Sequence, residues 1–84
     1  MANVKVKEEY VGQKKLVTWE IDTYPVAIKT GYKDLSILGA VGTDINKQVT
    51  VIKNKQVDGT TTEIGSIYVS ATGSQTVYLS YLGA

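Results

Sequence analysis

A third of this chain is branched at Cβ. Eleven Val, seven Ile and ten Thr stand among 84 residues, against five Ala and a single Pro. Side chains stiff at χ1 favour the pleated sheet and disfavour the helix. The predicted fold is therefore all-β, and the length allows one domain, spanning 1–84. A compact monomer of 9.1 kDa has a surface of roughly 4,900 Å², about 63 % less than its open chain. That is a thin margin for a chain with no cysteine to form a disulfide, so a partner surface would add to its stability.

The alternation of apolar and polar residues places the strands. Val4-Lys5-Val6-Lys7 and Leu16-Val17-Thr18-Trp19-Glu20-Ile21 flank Gly12-Gln13, and a Gly-first pair is the requirement of a two-residue type II′ turn. The register this turn sets puts Val4 opposite Ile21 and Val6 opposite Trp19. Lys5 then faces Glu20 and Lys7 faces Thr18, which sorts apolar from charged and makes Trp19 a core residue. After Pro25, Val26-Ala27-Ile28 is a short strand. Leu35 to Gly42 has apolar residues at helical spacing (Leu35, Leu38, Val41) but two Gly, and reads as a loop or a single helical turn. Gln48–Lys53 is a strand, and Asp58-Gly59 signals a type I′ hairpin. Ile67–Thr72 and Gln75–Leu82 around Gly73-Ser74 read as a terminal hairpin, with Val69 opposite Tyr78 and Tyr68 opposite Leu79. Six or seven strands predict a small antiparallel sandwich or barrel with little or no helix.

The residue inventory excludes most chemistry. There is no His, Cys, Arg or Phe, which removes imidazole and thiol catalysis, zinc and haem ligation, and guanidinium readout of phosphate. Adjacent Glu8 and Glu9 point to opposite faces of a strand. Glu20 and Asp22 share a face but read as surface alternation. Gly39-Ala40-Val41-Gly42 has the bare spacing of an RNA-clamping loop without its basic residue. Asp34, Asp44 and Asn46 lack calcium-loop spacing, and no phosphate loop or nucleophile elbow occurs. The expectation is a non-enzyme without cofactor or metal. Nine Lys against eight Asp and Glu give a net charge of +1, which disfavours nucleic acid as a partner. No apolar run is long enough to span a membrane, and the start shows no secretory signal. A cytoplasmic protein, or one carried within an assembly, is expected.

The charges are unevenly placed. All seventeen lie at or before Glu63, and Ile64 to Ala84 contain none. As a hairpin, that segment is bulky on both faces. Either it forms the centre of a sandwich covered by its own chain, or another polypeptide covers it. Tyr enrichment without charge is the composition of interface cores, and an uncharged edge is poorly protected against pairing. The candidate contact residues are Ile67, Tyr68, Val69, Val77, Tyr78, Leu79 and Tyr81. Leu35, Ile37, Leu38 and Val41 join them as an apolar loop able to plug the fold or enter a partner.

Two resemblances accompany these residues. The opening Met1-Ala2-Asn3-Val4-Lys5-Val6-Lys7 to Trp19-Glu20 resembles the start of small archaeal chromatin proteins, which coat DNA; the rest of this near-neutral chain does not. In its short Cys-free length, Met1-Ala2 start, Thr/Val/Gly-rich strands and uncharged end, the whole chain resembles the small β-rich accessory proteins of tailed-phage virions, of the head-decoration or cement type. This resemblance implies a virion subunit that binds a shell protein and its own copies, as a dimer or trimer. The alternative is a monomeric barrel whose exposed Tyr residues bind glycan or nucleic acid.

Overall fold

The computed structural model describes residues 3–84; Met1 and Ala2, the start expected to lead into the first strand, lie outside them. Seven strands follow in order: β1 (Val4–Val11), β2 (Lys14–Ile21), β3 (Val26–Lys29), β4 (Leu35–Gly42), β5 (Val49–Lys55), β6 (Thr62–Ala71) and β7 (Val77–Gly83). They form two antiparallel sheets, β1-β2-β7-β4 and β3-β6-β5, with no helix among the described residues. The all-β prediction holds, in its sandwich form. The surface of 5030 Å² is that of an ordinary compact monomer of this mass.

The predicted terminal hairpin is corrected. β6 and β7 do not pair: β6 runs between β3 and β5, and β7 between β2 and β4. The reason lies in their faces. Ile67 and Val69 alternate along β6, and Val77, Leu79 and Tyr81 along β7. The hairpin register sets Val69 beside Tyr78 and so mixes an apolar row with a mixed one. Stacking the two sheets instead brings apolar row against apolar row, and all five side chains are buried with Val17, Ile21, Ile28 and Leu35. Residues 72–76 are thus a connection between sheets. Tyr24 Oη anchors it, donating to the Gly73 carbonyl and accepting from Gln75 N at 3.1 Å.

The first hairpin forms at the predicted turn, with Gly12 at φ +65°, where a side chain would be strained. Lys7 faces Thr18 as expected, but a bulge between Lys5 and Lys7 moves the remainder by one place. Val4 therefore faces Glu20 and Lys5 faces Trp19. Lys5 pairs with Glu8 at 2.8 Å rather than with Glu20. β1 is exposed along its whole length, because the opposite sheet has one strand fewer and leaves it uncovered. Trp19 packs against the core but is only half-buried.

Residues 35–42 are a strand rather than a loop or helical turn. Leu35, Ile37 and Ala40 turn towards the core, and a bulge between Ile37 and Gly39 inserts Leu38. A bulge stretches the two-residue period to three at one point, which is how a strand came to show helix-like spacing. The Asp58-Gly59 turn is also longer than predicted. A type I′ turn needs two residues with positive φ, yet only Gly59, at +75°, has it. Gln56 N donates to the Thr61 carbonyl at 2.9 Å and closes a wider loop.

The alternation of β7 yields a direct test. Leu79→Ala, which empties a fully buried site, is expected to lower the unfolding free energy by about 2–5 kcal/mol. Val41→Thr, on the outer side of the same sheet, should change it by about 0.5 kcal/mol or less. Denaturant titration of both variants decides; equal losses would contradict the assigned faces.

Candidate protein interface

The eleven candidate contact residues separate into three groups. Leu35, Ile67, Val69, Val77, Leu79 and Tyr81 are buried in the domain's own core and offer no free surface to a partner. Ile37 also turns inward and is half-buried. Tyr68 faces outward from β6, opposite Ala27 and Ile52, but the β5–β6 loop folds over it: a Cβ on Gly59 would sit 3.3 Å from its ring. Leu38, Val41 and Tyr78 remain, exposed to 58 %, 69 % and 42 %.

These three lie together because β4 pairs with β7. On the outer face of the four-stranded sheet, one row runs Val4, Glu20, Tyr78, Val41, and another runs Glu9, Leu16, Leu82, Ser36. Between them run Lys7, Thr18, Ser80 and Gly39, with Thr18 and Ser80 hydroxyls 3.0 Å apart. The charges of this face within the strands, Lys7, Glu9, Lys14 and Glu20, all belong to β1 and β2, and Lys14 reaches past the Ala84 end to Asp34, 2.9 Å away at the start of β4. Within β7 and β4 themselves the face carries no charge. Leu16 and Leu82 belong to the same face and were not among the candidates; only the β2–β7 pairing reveals them. Ile45, 96 % exposed in the connection between β4 and β5, is another exposed apolar group that periodicity did not find.

The sheet edges differ in the same sense. β1 carries Lys5, Lys7, Glu8 and Glu9 and a bulge; β5 carries Lys53 and Lys55; β3 has four residues. Charge, bulges and shortness are the usual guards against edge pairing. β4 is eight residues long and holds no charge. The poorly guarded edge expected of this chain exists, but on β4 and not on the C-terminal strand.

The remaining polar groups are occupied with one another. Trp19 Nε1 donates to Tyr81 Oη at 3.0 Å, and the Tyr81 ring meets that of Tyr32 edge-on at 6.1 Å. Burial pushes the Tyr81 phenol up from its ordinary value. Glu8 accepts from Lys5 and lies 3.5 Å from Lys15; the Lys5 bond chiefly holds the Glu8 carboxyl below its usual range. A groove of about 430 Å³ between Asp22–Tyr24 and Gly73–Thr76 is lined by side chains that already bond the inter-sheet connection. Among the described residues no cluster of three or more metal-ligating side chains occurs, and no helix is long and apolar enough to cross a membrane. No protein-family model, no curated protein and no solved structure matches the chain.

The loop that covers Tyr68 depends on one carboxylate. Asp58 Oδ1 accepts from Thr60 N and Thr61 N, both at 2.8 Å, and Oδ2 accepts from the Thr61 hydroxyl. These bonds, the Thr61 hydroxyl first, lower its pKa from 3.8 to about 2. A depressed carboxylate pKa gives stabilisation that is complete above the unfolded value and lost as pH falls through the folded one. The Thr60 and Thr61 amide resonances should therefore shift, and the Tyr68 ring become more exposed, between about pH 4 and pH 2. Resonances that stay constant over that interval in the folded protein would contradict the role given to Asp58.

Proposed function

We propose that this chain is a non-enzymatic assembly subunit that binds a protein surface through the uncharged half of its four-stranded sheet and also binds its own copies. Its resemblance to phage accessory proteins supports a virion setting, with the subunit decorating or cementing a shell. The carrying observation is that Val41 and Tyr78 pair on the outer face, with the exposed Leu38 on the same strand as Val41, on two strands that hold no ionic side chain. Burying such a face needs no desolvation of charge, and a Tyr beside aliphatic groups is the usual anchor of a protein interface. A subunit that binds only the assembled shell stabilises that state by mass action.

The glycan or nucleic-acid reading has less support. The tyrosines are spread over both sheets, and Tyr24, Tyr68 and Tyr81 are engaged in contacts within the domain.

Tyr78→Asp tests the assembly reading because the residue is an outward one and the core is left intact. The variant should keep its circular dichroism and melting cooperativity while its binding to assembled phage capsid shells falls about thirtyfold or more. Co-sedimentation with such shells is the measurement. Undiminished binding by a folded Tyr78→Asp protein would overturn the proposal.

A further inference from the structure

The free edge of β4 has a hydrogen-bonding pattern that can be read from its two ends. Asp34 and Ala84 exchange both backbone bonds, at 3.2 and 3.0 Å, and Thr43 N donates to the Thr76 carbonyl at 2.9 Å. In an antiparallel ladder such pairs alternate with pairs whose N–H and C=O groups point away. With Leu38 inserted between Ile37 and Gly39, both ends give the same result. Ser36, Gly39 and Val41 bond to β7, while Leu35, Ile37, Ala40 and Gly42 present their backbone groups to the open side. Among the described residues no other segment bonds to these four.

We propose that β4 pairs antiparallel with β4 of a second copy across a two-fold axis at Leu38-Gly39, joining the two four-stranded sheets into one. The open pattern is palindromic, because the bulge lies at the centre of the strand. Leu35 therefore faces Gly42 of the second copy and Ile37 faces its Ala40, so the open N–H and C=O groups of these four residues meet counterparts, and only the bulged Leu38 stays outside the ladder. Each pair sets a large side chain against a small one, and so do Leu38 with Gly39 and Val41 with Ser36 on the outer face.

The strand ends are complementary too. The same axis brings the exposed Lys33, which has no ion pair within the protomer among the described residues, alongside Asp44 of the second copy, whose carboxylate lies 3.5 Å from its own Lys47 and is shared between the two cations. Like edges that pair leave only guarded edges outside, so the assembly closes at two copies instead of growing. Eight residues at about 3.3 Å each, across a domain 21 Å thick, give a footprint of roughly 500 Å² per copy. The total of about 1,000 Å² is at the lower limit of a specific interface, which predicts a weak, concentration-dependent dimer. This deepens the assembly reading and rests on it for the premise that copies meet.

Sedimentation equilibrium of the full chain tests it. The expected result is a reversible rise from the 9.1 kDa protomer to twice that mass. Ala40→Pro removes an open-side N–H and none from the β7 ladder, so it should abolish the rise while the domain stays folded. Lys33→Glu or Asp44→Lys alone should weaken dimerisation about tenfold, and the two together should restore it. A protomer mass at every concentration, an open series of larger species, or a dimer indifferent to all three substitutions would overturn the inference. None of these results bears on shell binding through Tyr78, which fails or stands by its own measurement.

Discussion

The stacking of β6 upon β7 organises this molecule. Ile67 and Val69 on one strand and Val77, Leu79 and Tyr81 on the other form two apolar rows that exclude water only by facing each other across the sandwich. Once they do, each strand is the centre of its own sheet, and the charged strands are left to the periphery. The short connection at 72–76 must then cross from one sheet to the other. Its bonds to Tyr24, and those of Thr72 N to the Gln48 carbonyl and Thr76 N to Thr43 Oγ1, hold that crossing in place.

A consequence is the asymmetry of the four-stranded sheet. Its β1–β2 side carries Lys5, Lys7, Glu8 and Glu9, ion pairs and a bulged edge. Its β7 and β4 strands carry no charge, and the Lys14–Asp34 ion pair closes one end of their outer face. The inner faces of the last two strands need no partner, since the domain's own residues cover them. The apolar surface the domain leaves uncovered lies on the opposite face of β7 and along β4.

Much of the fold was legible from side-chain chemistry. β-branched content and alternation identified the class, the strand number and the first turn, because these are local properties. Non-local pairing was not legible. The β6–β7 segment looked like a hairpin because a Gly-Ser pair joins two strands, and only a comparison of faces distinguishes stacking from pairing. β4 was hidden by its bulge, which put Leu35, Leu38 and Val41 at helical intervals. Of the candidate contacts, the three left exposed could not be separated from the six that fill the core until the sheets were assigned. The absence of charge marked β7, but one of its faces is core and the other is surface.

Amide hydrogen exchange along β4 tests the central claim, that the lone domain completes its core but not its uncharged edge. In dilute protein, Leu35, Ile37 and Ala40 should exchange at least tenfold faster than Ser36, Val41 and the β7 amides, since only the latter donate within the sheet. Strong protection of all β4 amides in dilute protein would show an edge already satisfied within the protomer, and would contradict the account.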